Sequence, residues 1–438
     1  MQIRRYAFGA LQTFLRGETP RRSLCLVAVI SLMAICAAEA KAEFAIGRAI
    51  NIAQWFTWPR YEQPGSGISW PPYRETPRPP NSAELQALRK AGFETVRLPV
   101  DPAPFMVFQG ERRDAVYGML FDAIRRIRAA GLKIIVDLHP NSRHAVWGQN
   151  AIVAGLEAPA FIAFASTVEE MARRLQSSGQ GNIAFELINE PRLKCKGPDQ
   201  ELWQRLLVRL VERARAGSRD LPLIVTGACI STPEGLIALD PATLGDRNLI
   251  YTFHYYEPFT FTHQGAQFIP WPDKYLDEVP WPAGARSIEE PLALLTEQIK
   301  ATTGLDDATR AKALTGAQAN LQRFYASGAS ISLIEKRFAD VRRWADGHGI
   351  PPHRILIGEF GVWRKHAKLP GARCQDRAAW LADVRKTAEK QGFAWAYFNY
   401  DGPFGIVTDD TSRTLDSAVL ASLGLAQGAP CDNGASRG

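Results

Sequence analysis

Two glutamates stand out by where they fall. Glu190 closes the run Ile183-Ala-Phe-Glu-Leu-Ile-Asn-Glu-Pro191, and Glu359 sits near the end of Ile355-Leu-Ile-Gly-Glu-Phe-Gly361. A carboxylate at the C-terminal end of a buried strand serves no packing purpose, so its chemistry is the reason to ask about it. Two such groups are the minimum for breaking a glycosidic bond. One gives a proton to the leaving oxygen while the other attacks or stabilises the anomeric carbon, and a retaining pair stands about 5–5.5 Å apart.

Holding two carboxyls at that distance requires strands whose ends converge. Eight strand-like apolar runs cross the chain: Arg48 to Ala53, Thr95 to Val100, Lys133 to His139, Ile183 to Glu190, Leu223 to Ala228, Leu249 to Tyr256, Ile355 to Gly361 and Phe393 to Tyr400. Amphipathic stretches lie between them, at Ser82 to Ala91, Asp114 to Ala130, Ala158 to Gln176, Leu202 to Ala216, Ser330 to Asp346 and Asp376 to Gln391. Several stop at glycine, as at Gly92, Gly131, Gly217 and Gly392, the expected end of a helix. Repeated βα units of this kind predict an α/β fold, a single-domain (β/α)8 TIM barrel, with its site at the C-terminal ends of the strands. The ends of the fourth and seventh strands then face one another across the mouth. Two connections exceed what linkage requires: the loop after strand 1, Thr57 to Pro80, and the loop after strand 6, Pro258 to about Ala329. Both carry aromatic residues, and long loops on this face usually shape a cleft.

The motifs together resemble glycoside hydrolase family 5, the cellulase-like family. Asn189-Glu190-Pro191 and Gly358-Glu359-Phe-Gly361 match its two catalytic strand ends. The resemblance implies Glu190 as acid/base and Glu359 as nucleophile. It implies that Arg97, in Thr95-Val-Arg-Leu-Pro99, hydrogen-bonds the nucleophile and keeps it ionised. Asp137-Leu-His139 matches the third-strand histidine, with Asp137 in a supporting role, and Thr252-Phe-His-Tyr-Tyr256 supplies His254 and a nucleophile-directed Tyr256. Asn189 is expected on the sugar 2-hydroxyl, and Trp395 as the floor of the sugar site. The run His254-Tyr-Tyr-Glu-Pro-Phe-Thr-Phe-Thr-His-Gln-Gly-Ala266 is similar to a subset that cuts β-1,4-glucans and in part mannans. One departure is His139-Pro140, where that subset tends to show two histidines; whether His144 substitutes is left open. His263 either organises its loop or touches sugar, and Trp55, Trp271, Trp281 and Trp363 either stack on pyranose rings or pack.

Composition bounds the rest. An Arg-bearing leader, the apolar run Leu24 to Ala38 and Ala40-Lys41-Ala42 predict a signal peptide over residues 1–42, an uncleaved anchor being the alternative. That segment holds six Lys or Arg and two Asp or Glu, so the net charge falls from +7 to +7 − (6 − 2) = +3 on its removal. No basic stripe argues for nucleic acid, no P-loop or dinucleotide fingerprint for a nucleotide cofactor, and no Gly-x-Ser-x-Gly elbow for a serine hydrolase. Four cysteines remain, without the spacing of a zinc site, and three disulfide pairings are open. Cys195 with Cys229, in loops after neighbouring strands, and Cys374 with Cys431, near the chain end, is the pairing expected. The reading is a catalytic domain over 43–425 with a polar tail at 426–438: a secreted or periplasmic monomeric endo-β-1,4-glucanase needing no cofactor or metal. A β-mannanase, an exopolysaccharide glycosidase and a non-catalytic carbohydrate-binding barrel are the alternatives.

Overall fold

The computed structural model describes residues 44–431 apart from 63–66, 74–77, 141–143, 180–181, 270, 366–368 and 410. The expected leader and the last residues of the tail lie outside the described residues. Eight parallel strands close into a barrel in chain order, β1 to β8. They are Arg48–Asn51, Thr95–Val100, Lys133–Leu138, Ile183–Glu186, Leu223–Thr226, Leu249–Tyr255, Ile355–Phe360 and Ala394–Tyr397. The helices Ser82–Ala91 (α1), Gly110–Ala129 (α2), Pro159–Ser177 (α3) and Gly197–Gly217 (α4) follow the first four strands, and Cys374–Gln391 (α5) follows β7. Local chemistry explains their ends. Asn81 and Glu84 form a reciprocal capping box at the start of α1, and Gly92 ends it at φ 113. The polar first turns of α2 and α4 lie outside the apolar periodicity, which is why the sequence pattern starts those helices late.

The expected loop after β6 is largely helical. It contains Glu289–Ala301 and Asp307–Ala326, with Asp306 capping the second through Thr309 N at 2.7 Å, and the expected helix follows as Ile331–Gly347. No helix among the described residues is long and apolar enough to cross a membrane. Both expected disulfides are present, with Cα–Cα distances of 5.3 Å for Cys195–Cys229 and 6.0 Å for Cys374–Cys431. The described start of the tail is tied down, since Ala426 N donates to Ala91 O at 2.9 Å.

Strand parity decides which side chains reach the mouth. Ala49, Ile135, Ala184, Ile224, Ile250 and Leu356 form an inner cluster separate from the large core between strands and helices. Side chains alternate along a strand, so the next inward positions toward the C-terminal end are Asn51, Asp137, Glu186 and Thr226. On β6 the same parity brings His254 and then Tyr256 to the mouth.

β7 needs a correction to this alternation. Its register with β6 runs Phe253↔Ile357 and then His254↔Glu359, so Gly358 is one extra residue, and the pairing with β8 shifts at the same place. This bulge turns Glu359 inward. Asn51 Nδ2 donates to Gly358 O at 3.0 Å, and a Cβ on Gly358 would lie 2.6 Å from Thr252 Oγ1 and 3.0 Å from His254 Nε2. Glycine is therefore required there by close approach.

Candidate active site

Arg97 is the centre of the arrangement, and its position follows from β2 lying between Asn51 and Ile135 in register. A fully buried guanidinium must satisfy five N–H groups, and this one does. Nε and Nη2 donate to the two oxygens of Glu186 at 2.8 Å each, Nη1 to Glu359 Oε1 and Asn51 Oδ1 at 2.8 Å each, and Nη2 also to Asn189 Oδ1 at 2.9 Å. Asp137 Oδ2 lies 3.0 Å from Nη2 as a further ion pair. Burial opposes the arginine's charge, but Asp137, Glu186 and Glu359 outweigh it and hold its proton. Burial in turn pushes Asp137 up to about 7 and raises Glu186, each only partly offset by Arg97.

From Arg97 a hydrogen-bonded chain runs around the mouth. Asp137 Oδ2 meets His139 Nδ1 at 2.9 Å, and Asn189 Nδ2 meets His139 Nε2 at 3.2 Å. Because Asn189 Oδ1 accepts from Arg97, its amide orientation is fixed from both sides. One Nδ2 hydrogen is left for a ligand. Glu359 receives a second contact from the Tyr256 hydroxyl, 3.0 Å from Oε2.

Glu190 is held differently. β4 ends at Glu186, Leu187 and Ile188 turn into the strand–helix core, and Glu190 follows at φ 42, a left-handed conformation for a residue with a Cβ. Its carboxyl meets His254 Nδ1 at 2.8 Å, and burial raises its pKa against the opposing pull of His139, Arg97 and Arg192. Burial holds His254 near 4 and so neutral. His254 Nε2 is buried without a partner among the described residues, and an unmet lone pair is cheaper than an unmet N–H. The imidazole proton therefore belongs on Nδ1, donated to Glu190 Oε1, which leaves Oε2 to carry an acid proton.

One donor atom each from Glu190, His254 and Glu359 lies within 4.8 Å of the others. Such a trio also suits a cation, but Nδ1 of His254 is already taken by Glu190. The spacing matches two carboxyls acting on one bond from either end.

A family model described as cellulase (glycosyl hydrolase family 5) matches residues 53–402. The chain belongs to glycoside hydrolase family 5. Endoglucanase 3 of Fibrobacter succinogenes is 21% identical over 342 residues, 74% of this chain and 46% of that protein. Endoglucanase C of Acetivibrio thermocellus is 26% identical over 212 residues, 47% of this chain and 59% of that one. The chain thus spans about half the length of the curated relatives it matches. Among solved structures, the cellulose synthase subunit Z of Clostridioides difficile superposes with a TM-score of 0.61 at 22% identity, covering 86% of this chain and 99% of that one. An endoglucanase of Thermotoga maritima gives 0.59 at 21% identity, covering 86% and 97%. These structural likenesses speak for the fold.

Set in this family 5 barrel, one expected sugar contact, Trp395, needs correction, and the residues whose roles were left open can be placed. Trp395 is 2% exposed and packs edge-on against Phe93 and Phe360. Ala394 and Ala396 face the barrel interior, so parity sends Trp395 outward and brings Phe398 to the mouth, near Tyr256. Trp281 and Trp363 are buried, donating to Asp383 Oδ2 and Pro370 O, while Trp55 and Trp271 pack half-buried on the core. His144 accepts from Val146 N and Trp147 N and so orders its own loop. His263, buried and held near 3, stacks on Phe259 and bonds Thr262. The exposed rings are instead Trp58 and Trp70 after β1, and Phe259 (47%) and Phe268 (62%) after β6. Among the polar residues, sequence reasoning missed Glu186, Asn51 and Gln149. Parity along β4 was the available signal for Glu186, two residues beyond inward-facing Ala184.

Proposed function

We propose that this family 5 protein is an exported, retaining endo-β-1,4-glucanase with Glu190 as acid/base and Glu359 as nucleophile. The observation that carries the reading is the asymmetry of a close carboxyl pair. Glu359 is held by two donors, Arg97 Nη1 at 2.8 Å and the Tyr256 hydroxyl at 3.0 Å, which aim its carboxyl into the mouth as a nucleophile requires. Glu190 is raised by burial beside a neutral histidine, a setting that favours the protonated form.

With a glucan across the mouth, Glu359 attacks the anomeric carbon as the glycosidic bond breaks, and Glu190 passes its proton to the departing oxygen. Glu190, now ionised, takes a proton from water, whose oxygen attacks the same carbon and releases Glu359. The spare Nδ2 hydrogen of Asn189 is the group suited to the 2-hydroxyl. The matched relatives that are named endoglucanases support the glucan substrate. The leader pattern and the two disulfides support export.

A second reading is β-mannan cleavage. The Thermotoga maritima protein has also been solved with mannotriose, at a TM-score of 0.60 and 20% identity over 87% of this chain and 98% of that one. Reducing-end release from carboxymethylcellulose, lichenan, xyloglucan and glucomannan, measured side by side, separates the readings. Fastest release from the β-1,4-glucans is expected. Faster cleavage of glucomannan would transfer the assignment to mannan, and oligosaccharide binding without new reducing ends would overturn catalysis.

A further inference from the structure

We propose that the Cys195–Cys229 disulfide and the left-handed turn at the end of β5 form a positioning clamp for Glu190. The inference rests on the reading of Glu190 as the acid. A non-glycine at φ 42 persists only where its surroundings over-determine it. Residues 187–196 belong to no strand or helix; Leu187 N and Asn189 N still donate to Ile224 O and Leu138 O at 3.1 and 2.8 Å, but strand pairing of this kind stops one residue short of Glu190.

The constraint comes from two flanks. On one side Gln149 Nε2 donates to Asn189 O at 2.8 Å and also to Glu190 O. On the other, Cys229 N donates to Leu193 O at 2.8 Å and Ile230 N to Pro191 O at 3.1 Å. Cys195 is bonded to Cys229, closing the loop that begins at Glu190 onto β5.

The turn that provides these donors is itself strained. Cys229, Ile230 and Ser231 lie at φ 56, 57 and 55, three consecutive non-glycines and one of them β-branched. Burial of Ile230 is not the reward, since that side chain stays 46% exposed. What the conformation delivers is two successive N–H groups aimed at the carbonyls of Pro191 and Leu193. Backbone strain held beside a site points to a role in that site. By contrast, Cys374–Cys431 joins the start of α5 to the chain end.

The clamp fixes where the Glu190 carboxyl meets the leaving oxygen, and how deeply it is buried. Its loss is therefore read on leaving groups that need a proton. The test compares kcat/KM, which reports steps through bond cleavage, on cellotetraose and on 2,4-dinitrophenyl β-cellobioside, whose leaving group departs as a stable anion. For Cys195→Ser with Cys229→Ser, the expected result is a loss of about 10-fold or more on cellotetraose, toward the ~10²–10⁴-fold worth of a general acid. The aryl glycoside should stay within about 3-fold. The basic limb of the cellotetraose pH profile should move to lower pH, because a less buried Glu190 loses the effect that raises it. Cys374→Ser with Cys431→Ser should treat both substrates alike. If the first variant does not fold, the same pair of assays on the folded Cys374→Ser, Cys431→Ser protein in dithiothreitol, with thiols titrated, gives the same comparison.

Equal losses on both substrates, or no loss on either, would overturn the clamp. Glu190→Ala is assayed beside it. If that variant also loses both substrates equally, the acid assignment is what fails; if it spares the aryl glycoside while the clamp variant does not, the clamp alone fails.

Discussion

At the end of β7, Glu359 stands on a hydrogen-bonded strand and is gripped by Arg97 and Tyr256. Past the end of β4, Glu190 stands on irregular backbone in a left-handed conformation, and its carboxyl has a neutral histidine for company. Both are glutamates within one mouth. The difference lies in what meets each carboxyl: a cation and a hydroxyl at Glu359, and a neutral histidine at Glu190, whose pKa burial raises. A strand bulge serves the first and a strained loop the second, because a regular strand offers no way to lift a carboxyl off the hydrogen-bonded wall.

Each half of this contrast can be removed separately. Glu359→Gln keeps the shape but deletes the proposed nucleophile, and kcat/KM on a soluble β-1,4-glucan should fall by about 10⁴-fold or more, as loss of a covalent nucleophile does elsewhere. Near-wild-type hydrolysis would remove the assignment. Arg97→Met takes the cation from among Asp137, Glu186 and Glu359 and should cost about 3–5 kcal/mol in denaturant unfolding, the scale of a broken buried ion pair. A loss under about 1 kcal/mol, the scale of an exposed pair, would mean the carboxylates are not held by this charge.

Smaller changes probe the two settings without dismantling them. Tyr256→Phe removes one hydrogen bond to a charged oxygen, worth about 1.5–3 kcal/mol, so kcat should fall by about 10- to 100-fold with little change in KM. The proposed mechanism needs Glu190 protonated, and burial raises its pKa, so kcat/KM should hold above the ordinary carboxyl range and fall as pH rises through the raised value. Glu190→Gln should abolish that limb. A limb that survives the substitution belongs to another group.

Much of this was legible in the chain, and the failures have physical causes. Eight buried strands read clearly because parallel strands covered on both faces are continuous apolar runs, and two glutamates ending such runs are conspicuous. Trp395 was misplaced by reading a motif without its parity: in Ala394-Trp-Ala-Tyr397 the alanines fit the narrow interior and the large rings belong outside. Glu186 was passed over because a charge inside an apolar run looked like part of the strand, although it supplies Arg97 with its bidentate partner. The bulge at Gly358 depends on register with both neighbours, which local sequence does not encode. The helices Glu289–Ala301 and Asp307–Ala326 were passed over although their buried residues keep helical spacing, Pro291, Leu295 and Ile299 in the first and Ala313, Ala317, Leu321 and Phe324 in the second, where two alanines thin the apolar stripe.

The central claim is that two unlike carboxyls, with donor atoms within 4.8 Å of each other, work by double displacement. Proton NMR of cello-oligosaccharide hydrolysis, recorded faster than mutarotation, reads this from the first-formed reducing end. The β-anomer should appear first and then equilibrate; initial appearance of the α-anomer would show inversion and contradict the account.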